Sequence, residues 1–176
     1  MRIIAGRLGG RTFASPHGHR THPMSDKIRG ALFNALGDIQ GLTVLDAFAG
    51  SGALAFEAIS RGAASAIAID IEKPAQRAIT ENIAALGLQQ QVTLISSAAK
   101  SWQRKNKQLF DIVLCDPPYD DMQLPVAEKL ADCAKVGGVV VYSLPPEARL
   151  IMADNFQELL KKDYGDATLV FYRKTS

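Results

Sequence analysis

A short apolar run, a carboxylate and a glycine turn follow one another in residues 42–52. The first four residues form an apolar run of strand type, and Asp46 follows where such a strand would end. Gly50 and Gly52 then belong to a turn that favours small residues, because a backbone there lies close to another group. Residues 53–61 are rich in helix formers. A parallel strand, a glycine turn and a helix N-terminus together predict a cofactor crevice.

Two cofactors compete for this crevice. Gly50, Gly52 and Ala55 have the spacing of the loose dinucleotide fingerprint, so a nicotinamide oxidoreductase is one alternative. However, Asp46 and Phe48 precede the turn, and a carboxylate at that position disfavours a pyrophosphate and suits a cationic ligand. The sulfonium and ammonium groups of S-adenosylmethionine meet that requirement. The pattern therefore favours the methyl donor over the dinucleotide.

A second stretch, residues 110–119, contains a predicted buried strand followed by Asp116-Pro117-Pro118-Tyr119. It resembles motif IV of methyltransferases that modify planar exocyclic amino groups. The Asp116 carboxylate and a proline carbonyl can accept both N–H bonds of such an amine, which orients its nitrogen and favours a nucleophilic geometry. Tyr119 can stack on a flipped base. The prolines stiffen the loop, so we assign the catalytic role to these four residues.

Other candidates for cofactor binding follow the second and third predicted strands. Asp70 lies 18 positions beyond Gly52, where a carboxylate typically accepts hydrogen bonds from both ribose hydroxyls. Ser97 and Ala98 follow the third strand, where the adenine is expected. The complete predicted cofactor set is Asp46, Phe48, Gly50, Ser51, Gly52, Asp70, Ile71, Ser97 and Ala98.

Composition narrows the class of protein. The chain has 176 residues, 47% hydrophobic and 22% charged, as expected for one globular domain. No apolar run approaches the ~20 residues of a membrane-spanning helix, and the N-terminus does not resemble a signal peptide. The two cysteines, Cys115 and Cys133, have no metal-ligand spacing. We therefore expect reduced thiols, no metal, no membrane partner and a cytoplasmic location.

Charge is distributed unevenly along the chain. Residues 1–29 carry six Lys or Arg residues against one Asp, whereas the remainder carries 14 basic and 17 acidic residues. This asymmetry indicates an arm that binds a polyanion, although a solvated tail without a specific partner is the alternative. The predicted RNA-binding residues are Arg7, Arg11, Arg20, His22, Lys27 and Arg29.

The rest of the pattern alternates strands and helices. Ser25 is the predicted N-cap of a helix that ends near Gly37, and a later helix begins at Pro74 and is capped by Gly87. We also predict a loop at 102–108, a helix at 126–134, a turn at 137–138, a strand at 139–144, a helix at 147–156 and a C-terminal hairpin turning at 165–166. This order predicts a doubly wound α/β sheet.

The whole sequence resembles the RsmD-like family of bacterial 16S rRNA guanine-N2 methyltransferases. The resemblance rests on residues 2–6 with 9–11, on 23–34, on 46–52 and on 116–119. The last two stretches specify only amino methylation, and the first two point to this family. We expect a basic N-terminal arm or hairpin at 1–24, packed on a methyltransferase domain at 25–176.

This resemblance implies a Rossmann-like fold dependent on S-adenosylmethionine, with a seven-stranded sheet whose last strand is antiparallel. It implies methyl transfer to the N2 amine of a guanine in small-subunit rRNA, presented as rRNA or as an assembled 30S particle, by a monomer. By position, Asp46, Gly50 and Gly52 would hold the methionine moiety and Asp70 the ribose. Asp116 and Tyr119 would hold the target base.

Two positions depart from the family pattern. His22 stands where the family usually has Arg, which would make one phosphate contact weaker or dependent on pH. Ala98 stands where a polar side chain usually binds the adenine amine, so Ser97 or the backbone must serve. Rival functions are an amino-methyltransferase acting on DNA adenine or protein glutamine, a nicotinamide oxidoreductase and a non-catalytic RNA-binding module.

Overall fold

A single seven-stranded sheet organises the chain in the computed structural model, which describes residues 1–17 and 23–176. The spatial order of the strands is β3-β2-β1-β4-β5-β7-β6, and β7 runs antiparallel to both of its neighbours. The first five strands pair in parallel. The strands are β1 Thr43–Asp46, β2 Ser65–Asp70, β3 Val92–Ser96, β4 Phe110–Cys115, β5 Ala134–Leu144, β6 Phe156–Asp163 and β7 Thr168–Lys174. This arrangement confirms the predicted fold class.

Helices cover both faces of the sheet, so the central strands are apolar on both sides. One core cluster contains buried residues of α1, α2 and α3, and the other contains residues of α4 and α5. The helices are α1 Asp26–Leu36, α2 Ala53–Ser60, α3 Lys73–Leu86, α4 Ala99–Lys105 and α5 Leu124–Leu130, followed by a 3-10 turn at Ala131–Cys133.

The predicted helix ends at α1 and α3 are confirmed. The Ser25 hydroxyl accepts a hydrogen bond from the Ile28 N–H at 3.2 Å, which satisfies one unpaired donor of the first turn of α1. Gly37 follows the last residue of α1, and its N–H donates to the Phe33 carbonyl at 3.1 Å. Gly87 ends α3 in the left-handed conformation, which glycine adopts without a Cβ penalty.

The N-terminal residues fold back on themselves through an antiparallel bridge between Arg2 and Thr12, and side chains of α2 and α3 hold them in place. Glu57 of α2 accepts hydrogen bonds from the Ile4 and Ala5 N–H groups at 2.8 and 3.1 Å. Asn82 of α3 donates to the Ala14 carbonyl and accepts from its N–H, at 2.8 and 2.9 Å. Asn82 therefore has a structural role that the sequence did not indicate. It pairs with both backbone groups of Ala14, as a residue of a neighbouring strand would, and so anchors the N-terminal segment.

Two local predictions, a loop at 102–108 and a turn at 137–138, are wrong at least in part. Residues 102–105, the first part of the loop predicted at 102–108, belong to α4, because Trp102 packs against Phe110 with ring centroids 6.2 Å apart. Gly137 and Gly138 lie within β5, where the pairing with β4 shifts register, instead of forming a turn between elements. These two regions are decided by contacts between elements that are distant in sequence.

Residues 147–156 form no helix, contrary to prediction. Ala148, Leu150 and Met152 are half-buried against the α5-side core and alternate with exposed residues, which is the period of an extended chain. The Ile151 N–H donates to the Glu128 carboxylate at 2.6 Å. This backbone group therefore finds its partner on α5 and not in a helical turn.

Across residues 1–17 and 23–176, none of the helices is long and apolar enough to span a bilayer.

Candidate active site at the carboxyl edge of the sheet

The carboxyl ends of β1, β2 and β4 bring three aspartates to one edge of the sheet. Asp46 ends β1, Asp70 ends β2, and Asp116 directly follows β4. Side chains alternate along a strand, and the preceding residues Leu45 and Cys115 belong to the core on the α5 side. Asp46 and Asp116 are therefore on the opposite face of the sheet, on the same side as α2.

Asp46 is fully buried, and only one of its two carboxylate oxygens has a hydrogen-bond partner among the described residues. Its Oδ2 accepts from the Ala55 N–H at 3.2 Å, whereas its Oδ1 has no hydrogen-bond partner in the described part of the chain. Burial raises the pKa of Asp46 to about 8; the Ala55 hydrogen bond opposes this shift, and the nearby Asp116 and Asp70 carboxylates add to it. A cationic or hydrogen-bond-donating ligand at Oδ1 would relieve this cost.

The turn between β1 and α2 needs glycine at two positions for different reasons. Gly50 has φ +55° and Gly52 has φ +81°, a region that disfavours side chains. A Cβ on Gly52 would lie 2.6 Å from the Phe56 ring, so this glycine permits close packing at the start of α2. A Cβ on Gly50 would meet nothing within 4 Å, so the space above it is open to a ligand. Ser51, between them, is buried.

Asp70 connects the end of β2 to the glycine turn. Its Oδ2 accepts from the Gly50 N–H at 2.7 Å, and its Oδ1 accepts from the Glu72 N–H at 2.8 Å. The neighbouring Ile71 side chain is 60% exposed, which provides an apolar surface beside the turn. The Ser97 N–H donates to the Asp70 carbonyl at 3.2 Å, so the ends of β2 and β3 also meet here.

The remaining cofactor candidates, Ser97, Ala98 and Phe48, contribute fewer groups to the open space above Gly50. The Ser97 hydroxyl donates to the Ala98 carbonyl at 3.2 Å, and both residues are half-buried next to α4. Phe48 is half-buried and packs against the core on the α5 side. The structure thus brings Asp46, Gly50 and Asp70 together and places Ser97 beside Asp70.

The loop after β4 contains the predicted catalytic residues. Asp116 is half-buried, Pro117 is buried, and the Tyr119 ring is 42% exposed. Burial raises the pKa of Asp116 to about 6, while a hydrogen bond from the Ser143 side chain opposes the shift. The Tyr119 and Ser143 hydroxyl oxygens are 3.2 Å apart.

Ser143 is a site residue that the sequence analysis missed. It lies at the end of β5, next to the position where Asp116 follows β4, because the register pairs Cys115 with Tyr142. The available signal was one serine in the otherwise aliphatic and aromatic run 139–144, which predicts only a strand.

The arrangement fits S-adenosylmethionine better than a dinucleotide. The open space above Gly50 adjoins a buried carboxylate with one unsatisfied oxygen, Asp46, and an exposed apolar side chain, Ile71. The cationic methionine part of the donor suits the Asp46 carboxylate, and its purine ring suits the apolar Ile71 side chain. A pyrophosphate would instead approach three carboxylates, a repulsive arrangement. Among residues 1–17 and 23–176, no group of three His, Cys, Asp or Glu residues is placed to hold a metal ion.

The predicted RNA-binding residues separate into different groups. Lys27 and Arg7 are exposed, and the Arg7 guanidinium bonds the Gln91 side-chain oxygen. Arg11 is exposed as well, but its guanidinium donates to the Ala85 carbonyl at 2.9 Å and so caps the C-terminus of α3. Arg20 and His22 lie outside the described residues.

The prediction that Arg29 is free to contact phosphate is wrong. Its side chain is 0% exposed. The guanidinium donates to the Arg2 carbonyl and to Asp26 at 3.0 Å, and it faces the buried Glu57 carboxylate at 3.8 Å. A buried guanidinium requires such partners, so Arg29 joins α1, α2 and the N-terminal segment and is not an accessible cation.

Comparisons with known proteins agree with this architecture. The family model described as Conserved hypothetical protein 95 matches residues 1–173. A Bacillus subtilis protein named as a candidate rRNA methyltransferase, YlbH, is 31% identical over 179 residues, covering 99% of this chain and 92% of that protein. Ribosomal RNA small subunit methyltransferase D of Escherichia coli K12 is 36% identical over 120 residues, 68% of this chain and 60% of that protein.

A solved structure resembles the whole chain. It belongs to an Escherichia coli protein described as a candidate methyltransferase, yhhF, and superposes with a TM-score of 0.89 at 29% identity. The match covers 99% of this chain and 98% of that one. The seven-stranded sheet and the glycine turn therefore lie in a scaffold shared over the full length.

Proposed function

Because this chain belongs to the RsmD-like family of small-subunit rRNA methyltransferases, we propose that it methylates the exocyclic N2 amine of a guanine in 16S rRNA. Its cofactor is S-adenosylmethionine. The finer assignment to guanine N2 is supported by one observation, the half-buried Asp116 carboxylate in a diproline loop beside the open space above Gly50.

We assign the two acceptors for the amine to Asp116 and Pro117. The Pro118 carbonyl already accepts from the Asp121 N–H at 3.0 Å, which holds the loop in shape. Guanine presents N1–H and the N2 amine as adjacent donors on its Watson–Crick edge. Two neighbouring acceptors, such as the Asp116 carboxylate and the Pro117 carbonyl, can therefore bind this edge. The exposed face of Tyr119 offers a stacking surface for the extruded base.

When bound, S-adenosylmethionine supplies a methyl group activated by a sulfonium centre. Asp116, with a pKa of about 6, is ionised at pH 7 and accepts an N–H of the amine. The same carboxylate is placed to take the proton that the nitrogen must lose after alkylation. The buried Cys115 needs no role, since burial raises the pKa of its thiol and its side chain lies in the core on the α5 side.

Two rival functions fit the site less well. A nicotinamide oxidoreductase would leave the Asp116 to Tyr119 loop without a task. An amino-methyltransferase for DNA adenine or protein glutamine would use the same acceptors, but the exposed cations Arg7 and Lys27 favour a polyanion over a protein. We propose rRNA, alone or within the 30S particle, as the substrate and a monomer as the active form.

Methyl transfer from labelled donor to purified fractions tests the proposed function. We expect label in small-subunit rRNA or 30S particles and at most background label in genomic DNA and in ribosomal protein. Separate calorimetric titrations should show binding of S-adenosylmethionine and none of NAD. Label recovered mainly in DNA or protein would support a rival amino-methyltransferase.

Neutralising Arg7 and Lys27, two exposed cations of the N-terminal part of the chain, should weaken RNA binding and reduce its dependence on salt. We expect the variant Arg7→Gln with Lys27→Gln to lower the slope of log affinity against log salt by about 1.4 to 1.8, because each phosphate contact contributes about 0.7 to 0.9. Filter binding between 50 and 200 mM salt, roughly the range over which such contacts are felt, measures the slope.

The matched control is Lys161→Gln with Lys162→Gln, which removes two exposed cations from β6 at the far edge of the sheet. This control should keep the wild-type slope. Equal slopes for both double variants and the wild type would show that the N-terminal cations do not contact phosphate.

A further inference from the structure

Ser143 is a buried hydroxyl at the end of an apolar strand. Its side chain is 2% exposed, and its neighbours Tyr142 and Leu144 face the opposite core. On the antiparallel side it pairs with Leu169 of β7, so it lies inside the sheet and not at an edge. A hydroxyl in such a place needs polar partners, because burying it unpaired is costly.

Both partners of Ser143 belong to the loop after β4. Its oxygen is 3.2 Å from the Tyr119 hydroxyl, and the register of β4 and β5 places it beside Asp116, where its hydrogen bond lowers the pKa of that carboxyl. An ionised carboxylate only accepts hydrogen bonds, whereas a serine hydroxyl donates one and accepts others. With Asp116 ionised, the order is therefore fixed: Ser143 donates to Asp116, and Tyr119 donates to Ser143.

We propose that Ser143 is a positioning residue for methyl transfer, a role that rests on the proposed function: it holds the Asp116 carboxylate and the Tyr119 ring in place before the base enters. Ser143 has a fixed position because β5 is hydrogen-bonded to a strand on each side. The loop after β4, which contains Asp116 and Tyr119, is not part of the sheet. The same hydroxyl that fixes the orientation also lowers the pKa of Asp116, against the effect of burial.

The groups that surround this pair are acidic. Asp46 faces Asp116 from the end of β1, and Glu147 after β5 and Asp166 between β6 and β7 face Tyr119. Burial and these charges raise the pKa of Tyr119, so its hydroxyl keeps the proton that it donates to Ser143, whereas burial alone opposes ionisation of Asp116 and the Ser143 hydrogen bond counters that effect. Removing it should raise the pKa of Asp116 above about 6 and shift the acidic limb of the rate profile upward.

The test compares Ser143→Ala and Ser143→Thr by single-turnover methyl transfer at saturating donor and RNA, from pH 5 to 9. We expect Ser143→Ala to slow transfer at pH 7 by about 10-fold, as for loss of one hydrogen bond to a charged group, and to move the acidic midpoint upward by about one unit. Ser143→Thr restores the hydroxyl and should restore the rate. Donor affinity should stay at the wild-type value in both variants.

Two controls separate positioning from general destabilisation. Ser60→Ala removes another buried hydroxyl, one that accepts from the Leu8 N–H at 2.9 Å, and should lower stability without moving the acidic midpoint. Tyr119→Phe should slow transfer in the wild-type background and have little further effect in Ser143→Ala, because the two hydroxyls act as one unit.

A carboxyl-carbon NMR titration of Asp116 provides a readout independent of activity. An upward shift of its pKa in Ser143→Ala supports the proposal, even if the wild-type protein transfers no methyl to rRNA and the proposed function fails. An Asp116 pKa that is the same in wild type and Ser143→Ala overturns the proposal. So does a Ser143→Ala enzyme with the wild-type rate and pH profile.

Discussion

Asp116→Ala is expected to reduce single-turnover methyl transfer to rRNA by about 10³-fold or more, while S-adenosylmethionine still binds with nearly wild-type affinity. The reason is that Asp116, which we propose to contact the amine, follows β4, whereas Asp46 ends β1 and the glycine turn follows it. Removing Asp116 also removes a charge that raises the pKa of Asp46, so Asp46 ionises more readily when the cationic donor binds. Isothermal calorimetry gives the affinity, and rapid quench gives the rate.

Asp120→Ala is the matched control for this variant. Asp120 is an exposed carboxylate in the same loop, so its removal changes the loop's charge equally without touching the buried site. We expect wild-type turnover from this control. An Asp116→Ala enzyme that keeps more than about a tenth of the wild-type rate would remove Asp116 from the chemistry.

Asp46→Asn is expected to have two opposite effects: donor binding weakens by about 100-fold, and the donor-free protein becomes more stable above neutral pH. The asparagine keeps an oxygen that accepts from Ala55, but it has no negative charge to offer a cationic ligand. A gain in stability together with a loss of ligand binding is typical of functional sites, where a group that binds the ligand is unfavourable in the free protein.

The pH dependence follows from the pKa of Asp46. The folded protein without donor holds its proton up to about pH 8, whereas the unfolded chain releases it near the ordinary value of 3.8. Wild-type stability therefore falls as pH rises from about 4 to about 8, and Asp46→Asn lacks this loss. Melting temperatures should coincide near pH 4 and separate by several degrees at pH 9, at about 2 to 4 °C per kcal/mol.

Donor binding should also release a proton in the wild type below about pH 8, since a cationic ligand lowers the pKa of Asp46. Calorimetry in buffers of different ionisation enthalpy measures this release, which Asp46→Asn should lack. A variant that melts below the wild type at pH 9, or one that binds donor as tightly, would contradict the role given to Asp46.

Short sequence patterns were sufficient to predict the strands and helix ends that position the site. Short apolar runs located β1, β2 and β4, and the topology of parallel strands then required Asp46, Asp70 and Asp116 to meet at one edge. Helix ends were also predictable where one residue decides them, as Ser25 and Gly87 do. These features depend on backbone chemistry over a few residues, so the sequence contains them directly.

Features that depend on distant partners were not predictable. Arg29 looked like a free cation, but Glu57, 28 positions later, forms part of its buried environment. Ser143 gains its role from Tyr119, and Asn82 gains its role from Ala14, a separation of 68 residues. The extended segment after β5 has its Ile151 N–H satisfied by Glu128 of α5. In each case the deciding contact joins two elements that local patterns cannot relate.

The central claim is that the Asp116 loop presents a guanine amine to the methyl donor held above the glycine turn. Nucleoside analysis of small-subunit rRNA from cells with and without this protein tests it most directly. We expect N2-methylguanosine at one nucleotide that disappears without the protein, returns with the wild-type chain and does not return with Asp116→Ala. Identical N2-methylguanosine content in the two strains, with N6-methyladenosine or a methylated protein lost instead, would contradict it.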